Sequence, residues 1–212
     1  MEKIKGIAIS SKEKQDLITP TLAIELLKEG NNRFVENTAV NRNLNQQVVD
    51  TAKGQYPFAV IVGCIDSRVP AEIVFDQGIG DVFTARVAGN FVNEDILGSL
   101  EFACKVAGAK AVVVLGHSSC GAVKGACDNV ELGNLTHMLS NITPAVNAVT
   151  DVTENRNSGN AEFVQKVADK NVEFTIEKIK KESSILNEMH KNNEITIVGA
   201  MYNVATGKVT FM

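Results

Sequence analysis

The stretch Ala111-Val112-Val113-Val114-Leu115-Gly116 carries no polar side chain and is rich in β-branched residues. A strand that faces water on one side alternates polar and apolar residues. A run that is apolar throughout has to be covered on both faces. Phe58-Ala59-Val60-Ile61-Val62-Gly63, just after Pro57, also reads as a buried strand. Asp81 to Arg86 and Ile195 to Ala200 read as two more strands. Helical patterns lie between and around them: Pro70–Phe75, Asn93–Val106, a segment from about Cys120 to Ala126, Leu135–Val149 and Ala161–Lys181. Strands alternating with helices predict an α/β fold with a mostly parallel central β-sheet flanked by helices. Thr206-Gly207 ahead of Lys208–Phe211 is a hairpin signal that adds a short last strand.

At 212 residues the chain reads as a single domain, 1–212. Residues 1–19 are polar and are expected to form a poorly anchored tail. A helix follows over about 20–37, with Thr19 as N-cap, Pro20 at its first position and Leu22, Leu26, Leu27 and Phe34 at helical spacing. It can serve as an arm on a partner subunit or cover its own sheet. Asn41 to Asp50 is a candidate short helix. A net charge of −4 argues against nucleic acid and anionic membranes as partners. With no Trp and two Tyr the chain has little to offer as a base-stacking platform. No apolar stretch is long enough to span a bilayer. Met1-Glu2-Lys3-Ile4-Lys5 leads into no sustained apolar segment, so no signal peptide is expected. Four cysteines at irregular spacing do not form a disulfide framework, and a reducing, cytoplasmic setting is expected.

Two strand ends carry reactive side chains. Cys64-Ile65-Asp66-Ser67-Arg68 follows the first strand, and His117-Ser118-Ser119-Cys120-Gly121 follows the third. Carboxyl ends of parallel strands share one edge of the sheet, where open α/β folds bind ligands. Two thiolates and one imidazole are zinc ligands, and a Cys2His set with an open fourth position is a catalytic pattern. Each half alone is weak: a single Cys64 after a buried strand reads as core, and His-x-x-Cys alone reads as structural. Gly116-x-x-x-x-Gly121 imitates half a phosphate-binding loop, but Ala122-Val123 follow in place of Lys-Ser/Thr. Cys104 and Cys127 read as buried, inert residues. His137 and His190 read as solvated.

Cys64-x-Asp66-Ser67-Arg68 together with Gly116-His117-x-x-Cys120-Gly121 resembles the β-class carbonic anhydrases. Val69-Pro70-Ala71-Glu72, Arg86-Val87-Ala88-Gly89-Asn90 and Gly98-Ser99-Leu100-Glu101 resemble further segments of that family in their usual order, over residues 20–211. The resemblance implies a β-carbonic-anhydrase-like fold and one zinc per chain, held by Cys64, His117 and Cys120. It implies reversible hydration of carbon dioxide to bicarbonate by attack of zinc-bound hydroxide, in a homodimer or a dimer-based tetramer. Asp66 would orient the nucleophile and Arg68 would hold Asp66 off the metal. Asp66 is also implied as a competing fourth ligand, favoured at acidic pH. The Gly121 amide would help to bind a bicarbonate oxygen.

Two places depart from the family pattern. Where many members carry a substrate-side Gln, this chain has Gly78, with Gln77 beside it. An inhibitory bicarbonate site built from Trp, Arg and Tyr in some bacterial members finds Arg86 and Tyr202 but Ile61 in place of Trp. The same fold also admits carbon disulfide or carbonyl sulfide hydrolysis. A zinc-binding module without turnover is the alternative from another class, and the Asp66–Arg68 pair argues against it. A thiol redox protein lacks its Cys-x-x-Cys.

Overall fold

The computed structural model describes residues 11–212. The elements in chain order are α1 Lys12–Asp16, α2 Pro20–Val35, α3 Leu44–Thr51, β1 Ala59–Gly63, α4 Ala71–Val74, β2 Val82–Arg86 and α5 Glu94–Glu101. A π-helical turn, Phe102–Val106, continues α5. Then come β3 Ala111–His117, α6 Gly121–Cys127, α7 Gly133–Ser140, α8 Thr143–Ala148, α9 Ala161–Glu182, α10 Ser184–Lys191, β4 Thr196–Tyr202 and β5 Val209–Phe211.

The strands form one sheet in the order β2-β1-β3-β4-β5. The first four are parallel, and β5 returns antiparallel to β4 at the edge. The chain runs outward from β1 to β2 and then crosses back to lay β3 on the other side of β1. That reversal opens a crevice between the carboxyl ends of β1 and β3, the place where such sheets bind ligands. Every residue of β1 and β3 is buried. Ile61, Val113 and Leu115 face α2 and α4, beside Ala23, Leu27, Val74 and Phe75. Val60, Val62, Val112 and Val114 face α5, α9 and α10, beside Leu100, Val172, Ile179 and Leu186. A third cluster lies past the carboxyl edge, where Phe91, Val123, Leu139, Ile142, Phe163 and Val167 pack around Cys64 and Cys120.

Several elements differ from the sequence expectation. The polar tail was expected to run to residue 19. Residues 1–10 lie outside the described residues, but from residue 11 the chain is anchored. Ser11 caps α1, Ile18 is buried, and the fully buried Gln15 donates to Pro57 O at 2.7 Å and Ala107 O at 2.8 Å. A polar residue inside the core escapes a pattern search, since its reason is two carbonyls distant in sequence. Helix α2 lies against its own sheet, with Ala23 and Leu27 fully buried. Asn31 ties it down, donating to Val74 O and Gly207 O and accepting from Val209 N. The helix expected over Asn93–Val106 widens at Phe102, where the Ala107 N–H reaches back five residues to Phe102 O. The one expected over Leu135–Val149 is two, because Pro144 sits in the first turn of α8 and cannot occupy a helix interior. Helix α10, capped by Ser183, was not foreseen. No helix among the described residues is long and apolar enough to cross a membrane.

Candidate metal centre

The site is built from the ends of β1 and β3. Gly63 closes the β1 ladder opposite Leu115, so Cys64 emerges beside the last turn of β3. His117 is the final residue of β3 and has no accessible surface. Two residues on, Ser119 takes a φ of +55°, a left-handed conformation that non-glycine residues seldom adopt. That turn brings Cys120 back against the strand end as the N-cap of α6. The outcome is three donor atoms, one each from Cys64, His117 and Cys120, all within 4.8 Å of one another. The two sulfurs are 3.9 Å apart.

The donor set fits a metal ion on two observations. The His117 ring lies 3.0 Å by Nδ1 from Ser118 O, so Nδ1–H donates there and Nε2 is left with a lone pair. That Nε2 is buried without a hydrogen-bond partner. A buried acceptor left unpaired is costly, and a ligating histidine commonly has its other nitrogen on a backbone carbonyl. The second observation is the thiol pair. The Cys120 thiol and the Gly89 N–H, both within hydrogen-bond reach of Cys64 Sγ, favour the Cys64 thiolate over burial. The adjacent Cys64 sulfur and burial raise the Cys120 thiol. The first proton of the pair therefore leaves easily and the second does not, unless a cation takes its place.

Asp66 stands at the edge of this cluster. Its Oδ2 is 3.9 Å from His117 Nε2. Arg68 holds it with two parallel bonds, Nε–H to Oδ1 at 2.9 Å and Nη2–H to Oδ2 at 2.7 Å, and the Arg68 N–H adds a third at 3.0 Å. The Arg68 guanidinium keeps the Asp66 carboxyl well below the usual carboxylate range, against a smaller opposing effect of burial. Arg68 Nη2 also reaches Ser119 O at 3.3 Å, joining the two loops. Beside the cluster opens a cavity of about 350 Å³. Cys64 and Asp66 lie on its wall with Ala88, Gly121, Ala122, Leu135 and Met138, so its lining is largely apolar.

A family model for carbonic anhydrase matches residues 59–209, most of the chain. The chain belongs to the β-carbonic anhydrase family. Carbonic anhydrase 2 of Mycobacterium tuberculosis is 37% identical over 198 residues, covering 89% of this chain and 91% of that protein. The carbonic anhydrase of Mycolicibacterium smegmatis is 35% identical over 196 residues, covering 90% and 92%. Among solved structures, the β-carbonic anhydrase CafA of Aspergillus fumigatus superposes with a TM-score of 0.69 at 25% identity, covering 91% of this chain and 89% of that one.

Within this β-carbonic anhydrase the sequence-predicted residues take distinct places. Cys64, His117 and Cys120 converge, Asp66 and Arg68 pair beside them, and Gly121 opens α6 on the cavity wall. Gln77 turns away, its Nε2 donating to Phe75 O at 2.7 Å. Ile61 is fully buried in the sheet core, and Arg86 is bonded to loop carbonyls. Cys104 and Cys127 are buried, and burial pushes their thiols up to about 12 and about 11, as inert residues should behave. His137 is exposed as expected. His190 is not fully solvated: it is half-buried, and its Nδ1 is enclosed without a partner.

Sequence reading missed the groups that shape the site from behind. The Gly89 N–H points at Cys64 Sγ at 3.3 Å, and Asn171, on α9, donates to Gly89 O at 2.8 Å. Gly89 has a φ of +85°, and a Cβ there would stand 2.4 Å from Ile142 Cδ1. The sequence signal for Gly89 was its place in the family-like segment Arg86-Val87-Ala88-Gly89-Asn90, which did not reveal what it contacts.

Proposed function

We propose that this chain hydrates carbon dioxide reversibly to bicarbonate and a proton at the Cys64–His117–Cys120 centre, with one zinc per chain. The observation that carries the reading is the buried, unpaired His117 Nε2 aimed at two cysteine sulfurs beside an arginine-held carboxylate. Two soft sulfur donors and one imidazole match zinc better than magnesium or calcium, which prefer oxygen. Zinc held there supplies a Lewis acid that makes water nucleophilic near neutral pH.

The chain's own groups do the rest. Asp66, kept ionised by Arg68, is an acceptor only. It takes a hydrogen bond from the attacking water and turns a lone pair toward the cavity. The largely apolar wall of Ala88, Ala122, Leu135 and Met138 accommodates carbon dioxide, which has no net dipole, and offers little to hold water in competition. The Gly121 N–H, in the first turn of α6 where amides lack intrahelical partners, donates to an oxygen of the bicarbonate formed.

We further propose that the working unit is a homodimer or an assembly of dimers. Among the described residues helix α3 buries none of its side chains, and its Leu44, Val48 and Val49 are 53%, 55% and 66% exposed. Strand β2 is, among the described residues, an unpaired edge of the sheet, with exposed Phe102 and Val106 on the neighbouring π turn.

Stopped-flow carbon dioxide hydration and metal analysis test the first reading. One zinc per chain and saturable hydration are expected. Cys120→Ser should lose zinc and activity together, since a hydroxyl replaces a thiolate poorly. Full zinc occupancy in that variant overturns the ligand assignment.

A further inference from the structure

The β1–β2 ladder ends where Gly63 faces Arg86, and the Val87 N–H caps Gly63 O at 3.0 Å. Beyond that point the β2 backbone bends away so that Gly89 can meet Cys64 Sγ. The carbonyls of the ligand loop are then left without a neighbouring strand. The Arg86 side chain takes over. Its Nε–H donates to Cys64 O at 2.8 Å and its Nη2–H to Asp66 O at 2.7 Å. These two donors lie on one edge of the guanidinium plane, the edge that grips paired acceptors. Ile65, between the two carbonyls, is 62% exposed and anchors nothing. Among the described residues Arg86 has no carboxylate within ion-pair distance, so its fork is spent on the loop.

We propose that Arg86 is a positioning residue for hydration. It fixes the peptide units that carry Cys64 and Asp66, and so sets the ligand sulfur and the orienting carboxylate at one spacing. The inference rests on the metal-site reading above. Arg86 does not line the cavity, so its contribution enters through these backbone units and not through substrate contact. Among the described residues the Cys64 and Asp66 carbonyls have one other hydrogen bond, from Val69 N to Asp66 O at 3.0 Å, which holds the Asp66 end alone. Without Arg86, Cys64 O is left free and the Cys64–Asp66 spacing is no longer fixed from behind.

The test compares wild type, Arg86→Ala and Arg86→Lys as zinc-loaded enzymes. Two quantities are read: steady-state hydration, and the rate at which zinc passes to a colorimetric chelator. Groups behind a metal ligand typically matter by about 10–100-fold. Arg86→Ala should lose kcat and gain chelator transfer on that scale, with KM held within about twofold because substrate contacts are intact. Ethylguanidinium should restore both quantities in part, and urea at the same concentration should not. Arg86→Lys, able to fill one carbonyl, should fall between. Wild-type kcat and zinc transfer in Arg86→Ala overturn the proposal. So does a loss in folded, zinc-loaded protein that ethylguanidinium leaves unchanged. If Arg86→Ala does not fold, Arg86→Lys decides: a wild-type kcat overturns the proposal, and a lowered kcat at unchanged Tm supports it. A wild type without hydration would instead defeat the function reading, while the chelator measurement would still report on Arg86.

Discussion

At the scale of single residues, the site depends on groups whose freedom has been removed. Asp66 is useful as an acceptor only while it is ionised and aimed. Arg68 secures both, through three bonds of 2.7–3.0 Å. Arg68 is half-exposed, so solvent screens part of the pair's attraction. Arg68→Ala should therefore lower kcat by roughly tenfold, including at alkaline pH, with zinc retained. An unchanged kcat at alkaline pH would remove Arg68 from the mechanism. The depressed Asp66 carboxyl has a second consequence. Asp66 stays charged throughout the neutral range, so a fall in activity between neutral and mildly acid pH does not come from its protonation. Gly89 is constrained differently. Its left-handed backbone delivers an N–H to Cys64 Sγ, and a methyl group would push on Ile142. Gly89→Ala should cost about 1–3 kcal/mol of stability and weaken zinc retention in the same variant. Thermal unfolding and chelator transfer check this, and a variant that matches wild type in both would show the contact to be incidental.

At the scale of elements, α2 and α4 are joined by a buried charge. Asp76, just past α4 and with its side chain only 4% exposed, meets Arg33 of α2 and Arg42 of the following loop, and accepts from Val40 N. Burial alone would raise its carboxyl. The two guanidinium groups and the Val40 N–H outweigh burial and lower it. A carboxyl lowered on folding adds stability that is fully present above its unfolded value of about 3.9 and is lost as pH falls through the folded value. Denaturant unfolding from pH 7 to pH 3 should show this acid limb. Asp76→Asn should flatten the limb and cost about 3–5 kcal/mol near pH 7, because two arginines lose their counter-charge. Asn tolerates the +45° φ of this position, so the substitution isolates charge from backbone strain. An equally steep limb in the variant would assign acid lability elsewhere. The triad was invisible in sequence: Arg33, Arg42 and Asp76 are spread over three segments, and only the packing of α2 on the sheet brings them together.

At the scale of the whole molecule, what was legible in the sequence was what local pattern controls. Strands β1 and β3 announced themselves because a doubly covered strand has no polar position to spare, and the candidate metal ligands were found because two short motifs, Cys64–Arg68 and His117–Gly121, each follow a strand end and together resemble a family pattern. The supporting roles were not legible, even where the residues were noticed. Arg86, Gly89 and Asn171 act on the site only through the register of β1 against β2 and the packing of α9, and Gln15 is explained only by the carbonyls of Pro57 and Ala107. Helix α10 was lost to the polar residues on its outer face, although Leu186 and Met189 bury the inner one. The exposed apolar side chains of α3 and of the π turn beside β2 are the remaining part that no packing among the described residues explains. A short helix is marginal in water unless packing supports it, and an unpaired, flat edge strand invites another chain. A second copy would answer both, and a stable interface needs about 800 Å² from each partner, more than α3 alone provides. Sedimentation at micromolar concentration should therefore give a dimer or a multiple of it. Leu44→Asp with Val48→Asp should shift the distribution toward monomer without lowering the helical content of the rest, since neither side chain is buried in its own chain. A monodisperse wild-type monomer with full activity would refute the assembly. A dimer that ignores both substitutions would keep the assembly and move its contact to the β2 edge.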